Sequence, residues 1–291
     1  MKPRILLFIL VLACSLAHSQ DPGATKEMAK EVPVEPTEEA TDKTATTPPR
    51  SKFGNSFSTI NDPQLLSKDL PSEQILWLDI AGKKVLSLYS PDHSGRAKGG
   101  VILLPRHDQP ITIHNRLFNL QQTLADNSWH ALTIVMPSFT DAENEANLAQ
   151  QYIDAAIQFL NDKGIYNMVL LGEGINAHRM LQFANQLTTQ KKAKQIRGLA
   201  IVNPVNSGIK PTIEALIPKL PFSILDIYFD EGLETKRNAK LRLRNSRSMP
   251  AKQYQQIRML RLANNQKENR LTKRVRGWLD KTAAGFSVGV K

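Results

Sequence analysis

Eight residues, Leu170-Leu171-Gly172-Glu173-Gly174-Ile175-Asn176-Ala177, carry the strongest chemical signal in this 291-residue sequence. An apolar run of strand length ends at Gly172, and helical spacing begins at Ile175. Two known motifs occupy such a strand-to-helix turn. One is the nucleophile elbow, G-x-S-x-G, whose sharp turn lifts a serine hydroxyl above a sheet. The other is the dinucleotide fingerprint, G-x-G-x-x-G/A, whose backbone N–H groups hold a pyrophosphate at a helix start. Gly172-x-Gly174-x-x-Ala177 satisfies the second pattern in letters but not in context. The turn follows several earlier strands, and no acidic residue stands between Glu173 and Glu214 to take a ribose hydroxyl.

The elbow fits the order of elements better, yet Gly174 stands where the nucleophile belongs and Asn176 where the motif has a small residue. A serine triad also needs a histidine after the last strand to take the hydroxyl proton. The six histidines are His18, His93, His107, His114, His130 and His178, and none follows His178. Nucleophile and base are both missing, and losing either removes most of a triad's catalysis.

The elements that must position this turn read as follows. Pro63 to Leu70 has the look of a short helix. Gln74 to Ile80 and Lys83 to Tyr89 are two strands joined at Ala81-Gly82, a hairpin signature. Val101-Ile102-Leu103-Leu104 and Met168 to Leu171 are apolar without alternation, as in strands buried on both faces. Further strands are expected at His130 to Met136, Gly198 to Val202, Phe222 to Phe229 and Gln253 to Leu262. Helical spacing marks His114 to Leu124, Glu145 to Leu160, Ile175 to Leu187, Leu233 to Arg247 and Leu271 to Lys281. A hairpin followed by alternating strands and helices predicts an α/β fold with a mainly parallel sheet. The stretch between Val202 and Phe222 is short, with four prolines and no expected element, so any pocket would be open to water.

Composition narrows the function classes. The single cysteine, Cys14, excludes a disulfide framework and a cysteine-based metal site. No cofactor is expected. Lys2, Arg4, the apolar run Ile5 to Leu12 and Ala17-His18-Ser19 read as a secretory leader over residues 1–19. A lipoprotein signal with Cys14 as the lipidated residue is the other reading. Residues 20–58, rich in Pro, Thr, Glu, Ala and Ser, read as a disordered tether. One folded domain is then expected over 59–285, in a periplasmic protein.

The net charge of +11 is regional: residues 191–291 carry 22 basic against 7 acidic groups. Arg242, Arg244, Arg247, Arg258, Arg261, Arg270, Lys273, Arg274 and Arg276 are the candidate anion-binding residues. A solvated basic surface is the plain expectation for this face. An acidic protein, an anionic lipid or an envelope polymer would suit it. Nucleic acid would not, because no stacking aromatics are interleaved.

At these residues the chain resembles the α/β-hydrolase superfamily. More closely, it resembles a family of exported gammaproteobacterial proteins known as domain of unknown function 3530. The resemblance rests on Leu70-Pro71 through Trp77-Leu78, Gly99 to Leu104, Gly172-x-Gly174, Leu225-Asp226, and Leu271-Thr272-Lys273-Arg274-Val275-Arg276-Gly277-Trp278-Leu279. It implies a three-layer α/β-hydrolase-like sandwich with an N-terminal antiparallel hairpin and no large cap domain. By position it places Arg106-His107-Asp108 on the loop that supplies one oxyanion-hole N–H, and Ile175 at the other. Gly174 takes the nucleophile position, and Asp226, Asp230 or Glu231 the triad acid. Asn264 or Asn265 falls near the missing histidine. Glu173 is expected at the pocket mouth or as a helix-start carboxylate. His107 is expected to line the pocket or to be an exposed loop residue, and His178 to be a surface or inter-element hydrogen-bonding residue. Fold does not decide function. A non-catalytic envelope binding or scaffold module is the first expectation, an esterase-like hydrolase with a non-standard site the second, and an anionic lipid or polymer binder the third.

Overall fold

The computed structural model describes residues 63–109, 112, 115–137, 142–190, 195–260 and 269–289. The leader, the tether, Cys14, His114, Arg261, Asn264 and Asn265 lie outside the described residues.

The elements are helix α1 (Pro63–Lys68), strands β1 (Ile75–Ile80), β2 (Lys83–Ser90) and β3 (Gly99–Leu104), helix α2 (Arg116–Ala125) and strand β4 (Trp129–Ile134). Then come α3 (Ala142–Asp162), β5 (Met168–Glu173), α4 (Ile175–Thr189), β6 (Ile196–Val202) and α5 (Ile213–Leu216). The chain continues through β7 (Ser223–Phe229), α6 (Leu233–Asn245), β8 (Tyr254–Met259) and α7 (Arg270–Thr282). The eight strands form one sheet in the order β1-β2-β4-β3-β5-β6-β7-β8. β2 runs antiparallel to β1 and to β4, and every other neighbour is parallel.

The expected hairpin forms because Ala81 and Gly82 both take positive φ, 51° and 75°, the geometry of a two-residue turn that matches strand twist. The expected last strand is shorter than the apolar pattern, ending at Met259. Between Val202 and Phe222, where no element was expected, lie α5 and a single 3-10 turn, Ile217–Lys219.

Alternate side chains of the central strands feed two cores. Ile102, Leu104 and Leu170 pack with Ile153, Met180, Leu181 and Leu216, so α3, α4 and α5 cover one face. Val101, Leu103, Leu171 and Leu225 pack with Leu117, Leu120, Val275 and Leu279, so α2 and α7 cover the other. Trp278 of α7 rests where a Cβ on Gly198 would lie, 2.7 Å from its ring. At about 1.5–3 kcal/mol for each fully buried aliphatic chain, these strands supply much of the apolar driving force.

Candidate functional site

The turn after β5 is built by two glycines with different duties. A Cβ on Gly172 would lie 2.7 Å from Ala177 Cα and 2.9 Å from the Asn176 carbonyl oxygen, so strand and helix approach as only glycine allows. Gly174 takes φ 62° and ψ −128°, a conformation strained for residues with a side chain, and α4 starts at the next residue. Its N–H donates to Val202 O at 3.0 Å, and its carbonyl accepts from Val205 N–H at 3.0 Å. The apex is thereby clamped to β6 and the loop that follows.

Arg106 lies across that apex. A Cβ on Gly174 would be 2.9 Å from Arg106 Cγ, with Cδ at 3.5 Å and Nε at 3.7 Å. The guanidinium continues to Asp108, donating from Nε to Oδ1 at 2.8 Å and from Nη2 to Oδ2. That hydrogen-bonded pairing holds the Asp108 carboxyl below its ordinary value. His107, between them, is half-buried. Burial, then the positive charge of Arg179, holds its imidazole below the usual range.

Glu173 sits beneath the turn, 1% exposed, with Arg116 Nε 3.4 Å from its carboxylate. The Arg116 guanidinium stacks over the Phe229 ring, 4.6 Å from its centroid. Burial pushes the Glu173 carboxyl up, and Arg116 and then Arg106 oppose it. The expectation that Glu173 opens on the pocket mouth is corrected by its burial. It directly precedes Gly174, the N-cap of α4, which itself offers no side-chain cap. Strand alternation turns it toward α2, away from the Gly172 side.

A buried polar chain fixes α4 to its surroundings. Asn176 Nδ2 donates to Pro105 O at 2.5 Å, Arg179 Nη1 donates to Asn176 Oδ1 at 2.7 Å, and Arg179 Nε donates to Glu145 Oε1 at 2.7 Å. The loop after β3, the turn and α3 are thus held in one network. Asn176 replaces the motif's small residue with this tie. His178 is fully buried, so of its two expected places it takes the one that bonds between elements and not the surface. Its Nδ1 accepts from Ser207 N–H at 2.8 Å, which leaves Nε2 to donate to Pro211 O at 2.9 Å.

The three carboxylates considered for the triad acid are separated by the structure. Asp226 is wholly buried and accepts from Arg242 Nε at 2.8 Å and Nη2 at 3.1 Å, from Gln256 Nε2 at 2.8 Å and from the Tyr254 hydroxyl. Burial, then the Asp226 charge, pushes the Tyr254 phenol up. Asp230 follows β7 directly and is bound by Lys236 Nζ at 2.9 Å and by Arg258. Those hydrogen bonds, Lys236 first, hold its carboxyl below the ordinary value. Glu231 is exposed. Ile175, half-buried, opens α4 beside the apex. Gly174, Glu173, Ile175 and Arg106 are therefore brought together at the turn, whereas Asp226 is held in a separate buried network.

Beside the turn, at the carboxyl ends of β6 and β7, lies a cleft of about 520 Å³ lined by Asn203, Asn206, Glu214, Glu234, Asn238 and Arg242, among others. Ligands of open α/β sheets bind at this edge. Asn203 holds φ at 45°, uncommon outside glycine, with its N–H donating to Ile227 O at 2.7 Å. The sequence reading missed this cleft. Its one visible signal was Asn203-Pro204 closing an apolar strand. Arg116 and the Glu145–Arg179 pair were also missed. A lone arginine on the apolar face of Ala177, Met180, Leu181 and Ala184 was the available sign of the second.

The matched family is described as a protein of unknown function, DUF3530, over residues 2–146 and 138–281. The chain belongs to the DUF3530 family. No curated protein matches it. Among solved structures, Est1E from Butyrivibrio proteoclasticus is 11% identical, with 72% of this DUF3530 chain and 98% of that one covered and a TM-score of 0.55. The esterase domain of a Rhodothermus marinus protein is 10% identical, covering 72% and 98%, with a TM-score of 0.53. A protein described as a CIB-like hydrolase from Thermoplasma acidophilum is 11% identical, covering 72% and 96%, with a TM-score of 0.52. At such identities the likeness is one of fold, and the fold of this DUF3530 chain is that of the α/β-hydrolases.

The candidate anion-binding residues divide. Arg242 is corrected: it is 2% exposed and spends its guanidinium on Asp226. Arg258 is paired with Asp230, and Arg276 Nη1 donates to Asn127 Oδ1 at 3.2 Å. Arg244, Arg247, Arg270, Lys273 and Arg274 are exposed.

Proposed function

We propose that this protein is a binding module on a hydrolase scaffold, exported to the cell envelope, that does not hydrolyse its ligand. The Arg106 side chain lying across Gly174, where a nucleophilic hydroxyl would leave the turn, carries this reading. The neighbouring cleft supplies the binding surface. Its amides and carboxylates pair with hydroxyl and amide groups, so the ligand is polar. The leader-like residues 1–19 support export. The test uses the chain lacking residues 1–19, a serine-reactive fluorophosphonate probe and p-nitrophenyl esters. No covalent label and turnover at the buffer rate are expected. Labelling, or turnover more than about tenfold above buffer, a barrier drop of about 1.4 kcal/mol, overturns the reading.

The esterase neighbours favour a second reading, a hydrolase with a rearranged site. His107, half-buried on the loop after β3 beside Arg106, would then be its base. Turnover abolished by His107→Ala would establish it.

A further inference from the structure

Where α7 runs beside the edge strand β8, a groove of about 110 Å³ opens to solvent. It is lined by Lys273, Arg274, Gly277, Trp278 and Lys281 of α7 and by Gln255 and Ile257 of β8. Residues 273, 277 and 281 follow at i, i+4 and i+8, one side of a helix. Two independent features mark this groove.

The first is the glycine. Glycine inside a helix is destabilising relative to alanine. At Gly277 no close packing calls for it: a Cβ there would meet nothing within 4 Å. What the missing side chain creates is the space between the two lysines. At about 30 Å³ for each water in the liquid, that space has the size of a small oxyanion rather than of a drug-like molecule.

The second is the state of the cations. Some basic residues are neutralised within the fold: Arg242 by Asp226, and Lys236 and Arg258 by Asp230. Others, Arg244 and Arg247 among them, are exposed but line no groove with those of α7. The side chains of Lys273, Arg274 and Lys281 are exposed and form no ion pair or hydrogen bond among the described residues. Among the described residues no acidic side chain lines the groove. Asp280, the acidic residue of α7, is engaged at 2.8 Å by Lys98. Three like charges are thus held about a void with no counter-charge among the described residues.

We propose that this groove is a binding site for a phosphate group, with Lys273, Arg274 and Lys281 as its cationic wall and Gly277 as the opening that lets the oxygens descend between them. Such a group could arrive in solution or on an anionic lipid headgroup. Lysine and arginine together provide point charges and a planar fork for its oxygens. The site is separate from the Gly174 turn, so the fluorophosphonate result does not bear on it.

The test measures binding of inorganic phosphate and pyrophosphate by calorimetry. In parallel, it measures cosedimentation with vesicles of phosphatidylcholine alone or mixed in equal parts with phosphatidylglycerol. Three variants accompany the wild type. Gly277→Leu fills the groove without changing charge. Lys273→Gln/Lys281→Gln removes two of its cations. Arg244→Gln/Arg247→Gln removes two cations elsewhere and is the control. Wild type is expected to bind soluble phosphate, or the phosphatidylglycerol vesicles alone. The first result assigns a phosphate in solution, and the second a lipid headgroup. Both groove variants should weaken binding by about tenfold or more, with the control within about twofold of wild type. Circular dichroism confirms the helix in Gly277→Leu, and the lysine pair decides alone if that variant unfolds. Absence of binding to every probe, or equal weakening by control and lysine pair, overturns the site.

Discussion

Arg106 occupies the position that a side chain on residue 174 would need, with its Cγ 2.9 Å from an ideal Cβ at Gly174. A turn that would present a hydroxyl in an enzyme is here covered by an arginine from the loop after β3. The contact involves a flexible side chain rather than backbone, so it is a seal that another residue could displace.

Placing Ser at the apex tests that seal. Gly174→Ser adds a side chain at φ 62° and meets Arg106. A loss of about 1–3 kcal/mol is expected from the backbone conformation alone. Without a base, no fluorophosphonate labelling should appear. In an Arg106→Ala background the same substitution should cost less, with a coupling of at least about 0.5 kcal/mol in urea unfolding. Equal losses in the two backgrounds would refute the contact.

Asp226 holds the buried charge network of β7, β8 and α6 together. Asp226→Asn leaves the Arg242 guanidinium uncompensated at 2% side-chain exposure. Removing one partner of a buried pair costs about 3–5 kcal/mol. Chemical denaturation should show a loss of that order. A loss below about 1 kcal/mol, as for an exposed pair, would contradict the burial.

Glu173 makes stability depend on pH in a defined direction. Its folded pKa is raised by burial above the ordinary value of 4.5. The folded state therefore binds the proton more tightly than the unfolded chain, and stability is lost as pH rises from about 4.5 through the folded value. Glu173→Gln should match wild type most closely near pH 4 and gain on it toward pH 8. Unfolding midpoints across that range check the slope, and a constant difference would refute it.

His178 works in the opposite sense. Burial lowers its pKa from the ordinary 6.5, and its neutral form accepts the Ser207 N–H. Its contribution is present above about pH 6.5 and is lost as pH falls toward the folded value. His178→Gln should be less stable than wild type at pH 8 and should lose less on moving to pH 5. Thermal unfolding at both pH values reads the difference directly.

The sheet was legible wherever side chains alone dictate it. The unbroken runs Val101–Leu104 and Met168–Leu171 have no polar face to turn outward, so both must be buried. The glycine spacing at 172 and 174 likewise announced the turn. α5 was not legible, because four residues between Pro211 and Pro218 show no helical period. Arg106 was placed on the right loop, but its reach over Gly174 depends on the path of that loop in space. Arg242 was misread because α6 carries cations on several faces, and periodicity could not tell which one meets the sheet. The unused signal was Asp226, a lone carboxylate inside Ile224-Leu225-Asp226-Ile227, which had to find a cation.

The berth of Trp278 over Gly198 bears on what holds the sheet covered. Helix α7 supplies Leu271, Val275, Trp278 and Leu279 to the core against β6 and β7. With α7 undocked, the side of these strands that it covers lies open to water and to other chains, the condition under which incompletely folded domains aggregate. Docking of one helix therefore decides how long apolar strands stay exposed, and a factor that shields such strands would act on this protein before that step.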